Sequence, residues 1–500
     1  MKRISRREAM KIAALAGGTL LLPVGLQYRG YAQRANGTVE PFTVPFRTPP
    51  VLNPTRSDST TDYYQITMRK ARVEILPGQT TEIWGYNGIF PGPVIRQRRN
   101  RVSTLRFINN LDVNTSLHLH GMTSSPQYDG YAEDFIPPGY YKDYVYSNNT
   151  SAAANLWYHD HALAQSSQNV YRGLAGMYIV QDDEELALPL PKGNYDIPVI
   201  IQDRQFAPDG SLIFDNRNQT SVMGDVITVN GVPWPRMQVA NRKYRFRVLN
   251  ASISRSYRLA LSTGDQLTVI GTDSGLMSAP VNTPDIRLAM GERYDLIIDF
   301  SRYAIGTRVE LQNLFLPNNA FFDNIDRIMC FDVVRSETDD SVVPNTLRNL
   351  EFIPEAAAVR TRDFVVQQRN DGVWVINGNG WDRNRVDANP QLEEVEIWTL
   401  RNTANVSFHP MHLHLIDAQI LDRNGQPPFP YERGWKDVFY VGENETVRVI
   451  GRFRSYSGKF MYHCHNMVHE DRDMMSQFQV GRGGIDPMSA PARPLPAPPL

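Results

Sequence analysis

The sequence predicts an all-β protein made of three β-sandwich domains in tandem, and three observations lead to that class. The first is an internal repeat: Asn-Gly, followed about 20 to 25 residues later by a strand ending in asparagine, occurs three times. The copies are NGIFPGPVIRQRRNRVSTLRFIN from Asn87, NGVPWPRMQVANRKYRFRVLN from Asn230 and NGNGWDRNRVDANPQLEEVEIWTLRN from Asn377, with starts 143 and 147 residues apart. The second is short alternating strands such as YRFRVL and TVRVIGRF set between turn signals. The third is length, since 500 residues accommodate three domains at the usual ~150 each.

From the N-terminus, SRREAMK (Ser5 to Lys11), an apolar run from Ile12 to Leu26 and Gly30-Tyr31-Ala32 read as a twin-arginine export signal over residues 1–32. The run is shorter than the ~20 residues of a spanning helix, so no membrane span is expected after signal removal. Residues 33–185 form the first expected domain, 186–340 the second and 341–482 the third. The seams fall in LALPLPKGN and in the polar stretch after Ser336. Residues 483–500 hold six prolines and are expected to be extended and disordered. Hydrophobic content of 41% with 10% aromatics fits globular domains. The net charge of −1 includes +5 within residues 1–32, which leaves −6 on the remainder. No basic stripe is present, so nucleic acid is not an expected partner.

All ten histidines fall in four clusters: His118 and His120; His159 and His161; His409, His412 and His414; His463, His465 and His469, with Cys464 inside the last. Independent placement would give roughly 0.2 His-x-His pairs, and four are present. In a strand, residues two apart share a face and neighbours oppose each other. Each pair therefore offers both imidazoles to one side, while Cys464 turns away from His463 and His465. Parity puts His409 with Cys464 on one face, and His412, His414, His463 and His465 on the other. Two metal centres joined through adjacent residues follow. A thiolate with two imidazoles and a weak axial thioether is an electron-transfer copper set, and Met474 is spaced to supply the thioether. Eight remaining imidazoles exceed the needs of one tetrahedral zinc. Cys330 is left as a free core thiol, so no disulfide framework is expected.

These motifs resemble those of the multicopper oxidase family, in the bacterial laccase and bilirubin oxidase-like branch, across the mature chain. The resemblance names the domains cupredoxin-like Greek-key sandwiches and implies four copper ions. It makes His409, Cys464, His469 and Met474 the type 1 ligands, and His118 and His412 the type 2 ligands. The type 3 ions would be held by His120, His159 and His465, and by His161, His414 and His463. It implies electron uptake at His469, transfer through Cys464, and proton relay or ligand orientation by Glu470 and Asp129. An axial methionine implies a lower potential than an apolar residue would give. The clusters fall in the first and third domains, so neither alone should hold the oxygen-reducing centre, with the middle domain as spacer and wall. Trp435, Lys436 and Asp437 are expected at the rim of the type 1 site or as a packing tryptophan with surface charges.

The implied reaction is oxidation of phenols, aromatic amines or bilirubin-type reductants coupled to reduction of O2 to water, in a periplasmic or extracellular enzyme. Oxidation of cuprous, ferrous or manganous ions is the competing activity, although the 16 methionines are scattered and form no insert. A structural three-domain protein or a copper store would not need the full ligand set or a thiolate wired to the cluster.

Overall fold

The computed structural model describes residues 39–150, 152–217 and 221–500; the expected export signal lies outside them. The strands form six sheets, two in each third of the chain. A six-stranded and a four-stranded sheet form first, then sheets of seven and five strands, then sheets of five and four. Each pair encloses an apolar core. Phe107, Tyr144 and Tyr158 fill the first, Phe246, Tyr294 and Phe331 the second, and Trp398, Phe453 and Phe478 the third. Cys330 is a free, buried thiol in the second core. Among the described residues, no helix is long and apolar enough to cross a membrane.

The repeat seen in the sequence is a repeated backbone device. Asn87, Asn230 and Asn377 have φ of 56°, 52° and 52°, and the glycines that follow have 70°, 76° and 78°. Two consecutive positive φ angles are what a tight hairpin turn needs, and Asn-Gly supplies them with least strain. Each asparagine also reaches back to the preceding strand, accepting from the N–H of Thr67, Ile200 or Val365 at 2.7–2.9 Å. The closing asparagines, Asn109, Asn250 and Asn402, are buried and use their amides in one common way. Each Nδ2 donates to two carbonyls from separate segments of the chain, and each Oδ1 accepts from the N–H two residues on.

One expectation is corrected. The proline-rich tail is extended but placed: Arg493–Pro494 pairs antiparallel with Tyr140–Tyr141 at the edge of the first six-stranded sheet. Leu495 N–H donates to Gly139 O at 3.0 Å, and Arg106 donates to Pro498 O. Proline is tolerated at a sheet edge because no neighbour needs its missing N–H, and its fixed φ reduces the entropy lost on docking. Composition alone does not register a partner of this kind.

Candidate metal centres

Two histidine pairs from the first third of the chain face two clusters from the last. His118 and His120 lie on the Leu117–His120 strand; His159 is on the neighbouring Ala154–Asp160 strand and His161 just beyond it. In the third domain His412 pairs in register with His463, and Met411 with Cys464. His118 Nε2 lies 3.3 Å from His412 Nε2. His463 Nε2 lies 3.1 Å from His161 Nε2 and 3.2 Å from His414 Nε2. His120 Nδ1 is 3.2 Å from His465 Nε2. All eight rings are buried.

On the opposite face Cys464 Sγ lies 3.6 Å from His409 Nδ1 and 3.6 Å from His469 Nδ1. Met474 is buried in the same core as Cys464 and accepts from the Cys464 N–H at 3.1 Å through its carbonyl. Of these four residues only His469 keeps measurable exposure, at 2%. The split between faces is the one strand parity requires.

The donor chemistry fits copper. Burial and repulsion between neighbouring rings hold His118, His120, His159, His412 and His414 well below the usual imidazole range. Burial brings His161 down to about 4, against the pull of Glu470, and His465 to about 3. Neutral imidazoles crowded nitrogen to nitrogen offer lone pairs that only a cation would satisfy together. His159 makes the point directly: its Nδ1 donates to Asp160 O at 2.9 Å, while its buried Nε2 has no hydrogen-bond partner. Burial also pushes the Cys464 thiol far up, so ionisation there needs a metal partner.

Both sequence-nominated acids touch this cluster. Asp129 Oδ2 accepts from His414 Nδ1 at 2.8 Å, its carbonyl accepts from His118 Nδ1 at 2.5 Å, and Oδ1 accepts from Ser124 at 2.9 Å. Burial pushes Asp129 well above the usual carboxylate range. Glu470 Oε2 lies 3.2 Å from His463 Nδ1 and Oε1 3.8 Å from His161 Nε2. Burial would raise Glu470, but the two imidazoles outweigh it and hold it low.

A second correction concerns Trp435, Lys436 and Asp437. Lys436 and Asp437 are fully buried, Lys436 against Asp273 and Glu292 and Asp437 at the imidazole cluster, neither on the surface nor at the thiol site. Asp437 Oδ1 lies 2.9 Å from His120 Nε2, and its carbonyl accepts from His412 Nδ1 at 2.8 Å. Burial pushes Asp437 up to about 7, with Arg293 opposing. Trp435 is half-buried and lines a cavity of about 410 Å³ with Thr123, Ser274 and Asp417. Leu415, Ile416 and Asp417 are shared between that cavity and a smaller space against His118, His412 and His414.

The middle third, which contributes no histidine, also reaches the cluster's surroundings. A Cβ on Gly291 would stand 2.9 Å from the His465 ring, and Arg293 hydrogen-bonds both oxygens of Asp437. Sequence reasoning missed Arg293, Asp273, Gly291 and Trp157, whose indole stacks on His159 at 4.1 Å. Single residues carry no spacing signal.

Three family models, each described as multicopper oxidase, match residues 67–185, 202–320 and 355–484. The chain is 40% identical over 467 residues to a bilirubin oxidase of Albifimbria verrucaria, covering 88% of this chain and 81% of that one. It is 34% identical to a laccase of Bacillus subtilis, covering 89% of this chain and 99% of that one. Among solved structures, a laccase from Pediococcus acidilactici superposes with a TM-score of 0.80 at 31% identity, covering 90% of this chain and 95% of that one.

Proposed function

Because the chain belongs to the multicopper oxidase family and is an oxidoreductase using O2, we propose that it oxidises phenols, aromatic amines or bilirubin-type molecules one electron at a time. In this reading the clustered donors would hold four coppers in all. The type 1 ion is held by His409, Cys464, His469 and Met474, and the type 2 ion by His118 and His412. One type 3 ion is held by His120, His159 and His465, the other by His161, His414 and His463. The observation that carries this reading is Cys464: its sulfur lies 3.6 Å from two imidazoles of one centre, while its chain neighbours His463 and His465 belong to the other. The 40% identity to a bilirubin oxidase supports the aromatic substrate class.

When bound, copper supplies the one-electron couple at the thiolate site and the reducing centre for dioxygen. The residues do the rest. His469, the most exposed of the type 1 set, would mark the side on which the reductant approaches, and Cys464 would be the covalent link between that centre and the one that His463 and His465 serve. Asp129 and Glu470 face the Nδ1 atoms of His414 and His463, which leaves the Nε2 lone pairs for metal. The same carboxylates relay the protons that reduction of O2 to water consumes. Domain seams near residues 186 and 340 put the imidazole cluster between the first and third domains. SRREAMK supports export by the twin-arginine route to the periplasm or beyond.

Copper-loaded protein is expected to be blue and to consume O2 with 2,6-dimethoxyphenol or syringaldazine. Cys464→Ser should lose the thiolate-to-copper absorption while keeping much of the imidazole-bound copper, and should lose turnover. A colourless holoprotein, or a Cys464→Ser variant with full activity, overturns the assignment. Comparing phenols, bilirubin and cuprous or manganous salts under one condition decides the substrate class, and preference for the salts would replace the aromatic reading.

A further inference from the structure

Arg293 has five N–H groups and uses all five. Nη1 donates to Asp437 Oδ1 at 2.6 Å and Gly291 O at 3.1 Å; Nη2 donates to Asp437 Oδ2 at 2.6 Å and Asp273 O at 3.0 Å; Nε donates to Asn155 O at 2.8 Å. The acceptors come from all three thirds of the chain. Asn155 lies on the strand that carries His159, and Asp437 begins the turn into the strand beside His412. Asp273 completes the frame, accepting from Arg293 N–H at 2.8 Å and from the N–H groups of Asp437 and Val438 at 3.2 Å. Lys436 lies 2.9 Å from Asp273 and 3.0 Å from Glu292.

The frame acts on one imidazole. Asp437 Oδ1 accepts from His120 Nε2 at 2.9 Å, so His120 presents Nδ1 toward His465, whereas His118, His161, His412, His414 and His463 converge through Nε2. The close fit also explains Gly121, directly after His120 at φ 86°: a Cβ there would stand 2.6 Å from Arg293 Nη2 and 2.8 Å from Asp437 Oδ2. We propose that Arg293, from the otherwise histidine-free middle third, is a positioning residue for the oxygen-reducing centre. It locks both oxygens of Asp437 and thereby fixes the tautomer and rotation of His120. A lysine keeps the charge but cannot fork across two oxygens. The inference rests on the copper reading above.

The test uses copper-loaded full chain, with the thiolate absorption as an internal control for folding and type 1 loading. Arg293→Met should keep that absorption. It should weaken the near-ultraviolet absorption of the coupled copper pair, alter the type 2 electron-spin signal, and lower copper affinity at the imidazole sites about 10-fold or more. Arg293→Lys should fall between. Wild-type copper content and cluster spectra in Arg293→Met overturn the proposal. So does equal loss of both centres in a folded variant, which would make Arg293 a general strut. If Arg293→Met does not fold, Arg293→Lys decides: weakened cluster signals beside an intact thiolate band support the proposal, and unchanged ones overturn it. Wild-type protein lacking both absorptions would instead sink the copper reading.

Discussion

Glu470 touches the cluster at His463, 3.2 Å away, and is buried from solvent. Glu470→Gln keeps the shape and removes the charge, so the thiolate absorption should survive while turnover falls about 10- to 100-fold. Oxygen consumption measured beside the visible spectrum checks this, and unchanged turnover would remove Glu470 from the proton path. At this scale the convergence of the histidine clusters and the turning away of Cys464 are legible in the sequence, because histidine is scarce and strand parity sorts it into faces. The orienting residues were less so. Asp437 stands among Trp435 and Lys436 like any surface charge, and only folding reveals that it is buried against Arg293, Asp273 and His120. Arg293 itself lies more than a hundred residues from every histidine it serves except through space, and no local pattern marks it.

Between residue and domain, the repeat is the informative element. Its tight turns were readable because Asn-Gly has one economical backbone geometry. The closing asparagines were visible only as endings, since their carbonyl partners lie on loops that the sequence does not pair. Asn402 shows what they do: Nδ2 bridges Ser407 O and Gly442 O, tying the approach to His409 to the loop after Val441. Asn402→Ala leaves the half-buried Ser407 carbonyl and the Ala404 N–H without this partner and Gly442 O with only the Glu445 N–H at 3.3 Å, a loss of about 1–3 kcal/mol for each unsatisfied group. A lower melting temperature with weaker thiolate absorption, from a disturbed His409, is the expected result. A variant that melts and absorbs like wild type would show that the bridge is dispensable.

Over the whole molecule, the first and second thirds are joined by buried charge. Arg245 and Arg247 bind Glu185, Asp196 and Asp295, and Arg247 also reaches Asn155. Burial would raise Glu185 and Asp196, but the guanidinium groups outweigh it, bringing Glu185 to about 2 and holding Asp196 below its ordinary value. Both carboxylates are thus depressed in the folded state. Their contribution is present above the unfolded values near pH 4 and is lost as pH falls through that range toward 2. Thermal melts should shift down steeply below about pH 4.5. Arg247→Met, which leaves Glu185 only Arg245 and Asp196 only Arg96 as guanidinium partners, should cost up to about 3–5 kcal/mol and flatten that acid slope. An identical slope in the variant would assign acid lability elsewhere.

The returning tail gives this architecture a closed outline. Ile485 bridges to Gly458 in the third domain, and Arg493–Pro494 then completes the edge of the first sheet, so the polypeptide itself spans the seam that the histidines span. A hoop of this kind makes parting the terminal domains a sequential event: the edge strand must peel before the seam can open. Until it does, the tether keeps each half at high effective concentration for the other. The metal-binding seam therefore gains a kinetic latch built from main-chain hydrogen bonds and prolines, independent of any ligand it holds.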